Sequence, residues 1–313
     1  MRVGLLLKLH KPEAVEIARE LLSVLAVRGV ESCVAGAPPG SLPEAHHVGD
    51  ERLPEVKMLV VLGGDGTLLH GAELVADEGV PILGINLGNL GFLTSCPTTE
   101  ARPALEAALD GKLVIERRMR LRVVLTRADG QKPGEQVVRY ACNDVVISQG
   151  AIARLIEFEA FLDGKPISTY RADGLIIATP TGSTAYNLAA GGPILTPELQ
   201  GMVLSPICPH TLTNRPLVVP AASRLTVQLG EAAKDVMLTV DGQWATPLTE
   251  HDRVVVHAAH RPMLLYSTGD TTFFDILRTK LHWGERVGVR VHEPRNVSEA
   301  AAPTGATSPP PRR

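Results

Sequence analysis

The sequence predicts an α/β N-terminal domain with a parallel sheet, a β-rich C-terminal domain, and a C-terminal helix that returns to the first domain. Three observations carry this. Strand-like and helix-like stretches alternate over residues 1–116, short β-branched runs separated by turn residues take over from 117, and an apolar stripe at helical spacing reappears after Ser267.

In the first part VGLLLKL is followed by AVEIARELLSVLAVRG with apolar residues at helical spacing, then by MLVVLGG, LLHGAELVADEG and PILGIN. This βαβ order predicts a parallel sheet covered by helices. The second part reads as the strands RLRVVLTR, QVVRYACNDVVIS, RLIEFEAFLDG, GLIIATP, RLTVQLG, DVMLTV, RVVVHA and MLLYS. Within it Ile156, Phe158 and Ala160 alternate with Glu157 and Glu159, as a half-buried strand requires, and Asp163-Gly164 signals a hairpin. In TTFFDILRTKLHW, residues Phe273, Ile276, Leu277 and Leu281 form a stripe that needs a partner surface. The expected divisions are 1–116 for the α/β domain with the GGDGT turn, 117–268 for the β-rich domain, 269–292 for the docking helix, and 293–313 for a disordered Pro/Ala/Ser/Thr-rich tail.

At 313 residues, 44% hydrophobic and 21% charged, the chain can bury two cores. A formal net charge of −3 and no Lys/Arg-rich run argue against a nucleic-acid partner. No apolar stretch is long enough to span a membrane and no cleavable leader is evident, so a cytoplasmic protein is expected. Cys33, Cys96, Cys142 and Cys208 stand singly, without metal-ligand or disulfide spacing, and read as buried thiols.

Two constellations carry chemistry. VVLGGDGTLLH places Asp65 among three glycines where a strand gives way to a helix. Such a turn aims backbone N–H groups and a helix dipole at one spot, and glycines let a phosphate approach. It lacks the Gly-Lys-Ser/Thr of the usual ATP loop and the spacing of the dinucleotide fingerprint. A carboxylate there repels phosphate, but it can take the proton of an attacking hydroxyl or help hold Mg²⁺. The alternative is a tight turn capped by Asp65. The second constellation, RADGLIIATPTGSTAYNLAAGGPIL, ends a strand in small and hydroxyl residues with one aromatic, Tyr186. Small residues let a flat ligand lie close, hydroxyls orient it, and a tyrosine offers a stacking face. An ordinary loop with a core tyrosine is the other reading.

Taken in order, GGDGT, NLGNLGFLT, NDVVI, DGLIIATPTGSTAYNLAAGGPI, PHTLTNRPLVV, VDGQ and FFDILRTKLHWG resemble the NAD kinase family over nearly the whole chain short of the tail. GGDGT alone also occurs in diacylglycerol and sphingosine kinases, with a related turn in phosphofructokinases; the downstream motifs make the resemblance specific. It implies transfer of the γ-phosphate of ATP, with a divalent metal ion such as Mg²⁺, to the 2′-hydroxyl of the adenosine ribose of NAD, giving NADP. It also implies Asp65 as general base with Gly66 beside it, and Asn143 and Asp144 as the dinucleotide-binding pair, Asp144 standing where Glu is commoner. Asp173, Thr184, Ala185, Tyr186, Asn187, Leu188 and Ala189 fall in the pocket segment, Ala189 where some relatives carry Ser. His70, Arg154, Arg171 and Gln243 occupy positions associated with NAD contacts. Read without the resemblance, His70 is equally a surface residue, Arg154 and Arg171 can pair with Glu157, Glu159 or Asp173, and Gln243 follows a hairpin signal. The resemblance further implies a homodimer or homotetramer in which a neighbouring subunit can complete the NAD site. A lipid kinase and a non-catalytic NAD-sensing module are the other classes weighed. The first needs an apolar tunnel; the second has no use for Asp65.

Overall fold

A computed structural model describes residues 1–8, 11–38, 40–128, 134–150, 155–211, 213–230, 235–269 and 271–282. The tail expected over 293–313 lies outside the described residues.

The first part of the chain contributes β1 (Arg2–Leu7), β2 (Glu31–Ala35), β3 (Met58–Gly63), β4 (Ile82–Asn86), the short β5 (Cys96–Pro97) and β6 (Val114–Arg118), with helices α1 (Pro12–Val27), α2 (Asp65–Val75) and α3 (Ala101–Leu109). β3 is buried from end to end because helices cover both faces, so its residues need no polar alternation. Met58, Val60 and Leu62 join the core under α1 and α3, while Leu59 and Val61 join the core under α2. The two-residue period of the strand makes this division.

The next part contributes β7 (Leu121–Thr126), β8 (Gln136–Ala141), β9 (Asp144–Gln149), β10 (Ile156–Leu162), β11 (Lys165–Ala172), β12 (Gly174–Ala178), the one-turn α4 (Tyr186–Ala189), β13 (Gly201–Ile207), β14 (Leu217–Pro220), β15 (Leu225–Leu229), β16 (Val236–Val240), β17 (Trp244–Leu248) and β18 (Arg253–Ala258). They form two antiparallel sheets, ordered β11-β10-β15-β18-β7-β8 and β14-β13-β12-β9-β16-β17. The sheets bury one core between them, containing Phe158, Leu175, Ile177, Leu204, Leu238 and Val254. As the alternation predicted, Ile156, Phe158 and Ala160 are buried and Glu157 and Glu159 exposed; Asp163 and Gly164 take positive φ in the β10–β11 turn.

Two readings are corrected. MLLYS, assigned by sequence to the β-rich half, is β19 (Met263–Ser267); it pairs parallel to β4 and antiparallel to β6, completing the order β2-β1-β3-β4-β19-β6 of the first sheet. Its alternation marks a strand but cannot say which sheet receives it. Met263 and Leu265 settle in the core that α2 covers. QVVRYACNDVVIS is two strands, β8 and β9, placed in different sheets. The break falls at Cys142-Asn143, for a reason given below.

After β19 the chain forms α5 (Phe273–Leu281), opened by a reciprocal capping box between Thr272 and Asp275. Ile276 and Leu277 are buried, Phe273 and Leu281 half-buried, and the Phe273 ring lies 6.2 Å from that of Phe92. Leu277→Ala is therefore expected to cost about 2–5 kcal/mol, as core leucine truncations do, and to lower the urea midpoint accordingly. A parental midpoint would mean that the helix is not docked.

A buried strut joins the halves. Arg120, 1% exposed, donates to the Asp77 carboxylate at 2.6 Å and to the Arg261 carbonyl at 3.0 Å, and stacks over Tyr140; Arg261 donates to the Asp77 carbonyl.

Candidate active site

The GGDGT turn begins where β3 ends. Gly64 is the extended N-cap and Asp65 the first residue of α2, but no side chain caps this helix. The Asp65 carboxylate reaches instead across to the loop after β4. Its Oδ1 accepts from the backbone N–H groups of Leu93 (3.1 Å) and Thr94 (3.0 Å) and from the Thr94 hydroxyl (3.0 Å). Its Oδ2 accepts from the Phe92 N–H at 2.8 Å. Successive N–H groups turned to one point make an anion site, and here the protein's own carboxylate fills it. Residue 91 must be glycine, because a Cβ there would overlap Asp65 and Thr94. Asn86 secures the same loop, donating to the carbonyls of Asn89 and Thr94 and accepting from the Gly88 N–H. GGDGT and NLGNLGFLT are thus two halves of one device.

A second carboxylate repeats the arrangement in the β-rich half. Asp241, in the β16–β17 turn with φ of 49°, accepts from the N–H groups of Cys142 (2.7 Å), Asn143 (2.7 Å) and Asp144 (3.0 Å). These contacts hold the chain at the β8–β9 break and explain why that run is not one strand. Two residues on, Gln243 donates its side-chain amide to the Gly66 carbonyl at 2.9 Å. The DGQ turn therefore fastens the Asn143-Asp144 pair and ties it to GGDGT.

Asp144 is 5% exposed. Burial first, then the neighbouring Asp241 charge, pushes its pKa up to about 7, against a hydrogen bond from the Tyr186 N–H. Burial likewise pushes Asp241 up to about 6, opposed by its three N–H donors. Asp144, the carboxyl with fewer donors, therefore keeps its proton to higher pH than Asp241. Folded pKa values raised above the unfolded ones mean stability that is full at acid pH and lost as pH rises through about 6 and about 7. Asp144→Asn should flatten the fall in melting temperature between about pH 4 and 7; an unaltered slope would show that the pair does not titrate there.

The TPTGSTAYN segment wraps around Asn143. Thr179 donates its hydroxyl to the Cys142 carbonyl (2.6 Å) and its N–H to the Asn143 carbonyl (2.8 Å), and accepts from the Gly182 N–H (2.9 Å). Gly182 lies so close to the Asn143 backbone that a Cβ would overlap it. Ser183 ties the loop to Leu195. The buried Thr181 hydroxyl has no hydrogen-bond partner among the described residues. Tyr186 is 46% exposed and so is not the core aromatic of the alternative reading.

Asp65, Gly66, Asn143, Asp144, Thr184, Ala185, Tyr186 and Gln243 are thus linked through consecutive contacts, Thr184 and Ala185 by adjacency to Tyr186. Other expected site residues are placed differently. Asn187 is fully buried; its amide donates to the carbonyls of Ser183 and Pro193 and its oxygen accepts from Ser205, so it supports the loop with no polar atom left for a ligand. Leu188 is half-buried and Ala189 exposed, both on α4. His70 lies about 140° around α2 from Asp65 and bonds to Asp50 at 2.8 Å. Arg171 faces Glu157 across β10–β11 at 3.6 Å, both side chains exposed. Asp173 sits at the opposite end of β12 from Thr179, roughly 20 Å away at the strand rise of about 3.3 Å per residue. Arg154 lies outside the described residues. Of the four cysteines, Cys208 is exposed, contrary to expectation.

Phe92, Thr94, Thr181 and Asp241 were missed by sequence reasoning. The signal for Asp241 was present, since DG opens VDGQ, but it was read only as a hairpin turn.

A cavity of about 710 Å³ flanks the same loop, lined by Asn86, Leu87, Gly88 and Ser95 but also by Glu13 and Glu16. Those two carboxylates oppose a triphosphate. No group of three or more His, Cys, Asp or Glu side chains suited to a metal ion occurs among the described residues. No helix among them is long and apolar enough to cross a membrane.

A parallel α/β sheet with a glycine turn at a helix N-terminus, hydrogen-bonded through Gln243 to the turn that also holds Asn143 and Asp144, is an arrangement suited to a phosphotransferase of the nucleotide-binding kind. Residues 3–113 match the ATP-NAD kinase N-terminal domain and residues 142–268 the ATP-NAD kinase C-terminal domain. The chain is 45% identical over 286 residues to the NAD kinase of Geotalea daltonii, covering 91% of this chain and 99% of that one. It is 44% identical to the NAD kinase of Moorella thermoacetica, covering 90% of each. Among solved structures, yeast NADH kinase complexed with NADH superposes with a TM-score of 0.83 at 27% identity, over 94% of this chain and 90% of that one. An Archaeoglobus fulgidus NAD kinase in complex with ATP shares the fold with a TM-score of 0.71 at 24% identity, over 90% and 99%. The chain belongs to the NAD kinase family.

Proposed function

We propose that the protein transfers the γ-phosphoryl group of ATP to the 2′-hydroxyl of the adenosine ribose of NAD, giving NADP and ADP. The single observation that carries this reading is the Gln243–Gly66 hydrogen bond, because it brings the polar cradle of the β-rich half to the GGDGT turn. Neither half alone presents both a nucleoside cradle and a base.

In the proposed step the ribose oxygen attacks the γ-phosphorus, the bond from that phosphorus to the β,γ-bridging oxygen breaks, and ADP leaves. The hydroxyl proton passes to Asp65. Oδ1 already accepts three hydrogen bonds while Oδ2 accepts one, so Oδ2 is the oxygen with capacity for it. Asp144, whose pKa is raised to about 7, is a donor for a ribose or base acceptor while protonated, with Asn143 beside it. Mg²⁺ would enter as Mg·ATP and would screen the charge on the transferred phosphoryl group.

The roughly 20 Å along β12 between Asp173 and Thr179 supports a homodimer or homotetramer, in which Arg171 and Asp173 serve a neighbouring subunit's site. A cytoplasmic location fits the same substrates. Tyr186→Ala should weaken NAD binding by about 0.5–1.5 kcal/mol plus lost burial while sparing the fold, since its ring is half exposed. Unchanged affinity by calorimetry would remove Tyr186 from the site.

Incubating the purified protein with Mg²⁺, ATP and either NAD or diacylglycerol tests the reading. NADP is expected. A phospholipid would establish the lipid-kinase alternative, and binding of NAD without turnover the sensing module.

A further inference from the structure

Helix α5 ends far from GGDGT in sequence, yet it grips the loop that holds Asp65. The Phe92 side chain, whose own N–H is bonded to Asp65 Oδ2 at 2.8 Å, has the Phe273 ring 6.2 Å from its centroid and the Lys280 ammonium 5.0 Å from it. Phe273 and Lys280 are seven residues apart, two helical turns, and so project from one face of α5 onto the same ring. The face between them is fixed by the buried Ile276 and Leu277. Behind the loop lies a cavity of about 260 Å³ lined by Phe92, Leu93, Tyr266, Phe273 and Ile276. Solid packing therefore does not back this side of the loop, and the ring and cation contacts restrain it.

We propose that Phe273 and Lys280 are positioning residues for phosphoryl transfer: α5 sets the place of the 91–94 turn and, through its N–H groups, the place of the Asp65 carboxylate. The chemistry follows from the contacts. If the turn drifts into the cavity, the donors to Asp65 lengthen together and the carboxylate swings. The base is then misplaced for the proton it takes. This rests on Asp65 being the base, and the test separates the two ideas.

The full chain carrying Phe273→Leu or Lys280→Met is compared with the parent and with Lys280→Arg, which keeps a cation over the ring. Amide hydrogen exchange at residues 92–94, kcat and KM for NAD are measured at a temperature where all variants are folded. The expected result is faster exchange at residues 92–94, a fall in kcat of about tenfold, within the roughly 10²-fold that a 1 Å misplacement can produce, unchanged KM, and recovery in Lys280→Arg. Parental exchange at residues 92–94 would overturn the grip itself, whatever the melting temperature does. Faster exchange with parental kcat would overturn the link to chemistry; Asp65→Asn, measured alongside, then shows whether the base assignment fails by itself.

Discussion

Asp65→Asn is expected to lower kcat by about 10²–10⁴-fold, the contribution typical of a positioned base. The substitution keeps the size of the side chain and removes its ability to take a proton. It also disturbs the fold locally. An amide can offer one oxygen to the N–H groups of Leu93 and Thr94, but its NH₂ then faces the Phe92 N–H, donor against donor. A lost hydrogen bond to a charged group and a donor left unmade amount to about 1–3 kcal/mol. The variant should therefore be folded but less stable, bind NAD, and turn over slowly even well below its melting temperature. The stability loss and the rate loss separate by experiment. Thr94→Val removes one hydroxyl donor to Oδ1 but keeps the carboxylate and its backbone N–H donors, so it should lower stability while lowering kcat far less than Asp65→Asn does. Near-parental turnover by Asp65→Asn would make the carboxylate an anchor and nothing else.

Asp241→Ala is expected to be the most destabilising single change in the β-rich half. It leaves three backbone N–H groups, those of Cys142, Asn143 and Asp144, without their acceptor at a buried strand break, each worth about 1–3 kcal/mol when unmade. Alanine also tolerates the positive φ of 49° poorly, unlike Asp. A loss on the order of 4 kcal/mol or more follows, partly offset because Asp144 no longer faces a second buried charge. NAD binding should fall with it, since Asn143 and Asp144 lose their register and the Gln243 link to Gly66 is loosened. Asp241→Asn, which tolerates the backbone conformation, should recover part of the stability. Denaturant melts that leave Asp241→Ala within about 1 kcal/mol of the parent would show that water satisfies those N–H groups.

Much of the fold was legible because its signals are local. Alternation of Ile156, Phe158 and Ala160 with two glutamates fixes a face, and the continuous run MLVVLG fixes a strand covered on both sides. What alternation cannot supply is a strand's neighbour, and β19 shows it: the same five residues would suit either sheet until Met263 and Leu265 find the core beneath α2. What holds the split of QVVRYACNDVVIS at Asn143 was illegible for a related reason. It depends on a carboxylate 97–99 residues further along the chain.

The candidate site divides the same way. The Gly-rich turns and the TGSTAY segment stand out in composition. The partner of Asp65 does not, because an anion nest made of backbone N–H groups leaves little trace beyond a required glycine at 91. The role of Asn187 as a support was not legible, since its motif neighbours are exposed while its own side chain turns inward to Ser183, Pro193 and Ser205. Arg171 and Asp173 adjoin the motif in sequence, yet the length of β12 carries them away from it.

The most direct test of the account uses the unmodified protein with Mg²⁺, γ-labelled ATP, and either NAD or its analogue lacking the adenosine 2′-hydroxyl. The account predicts that both dinucleotides bind and that label is transferred to NAD alone, as a 2′-phosphate. Label on the 2′-deoxy analogue, or none on NAD, would contradict it.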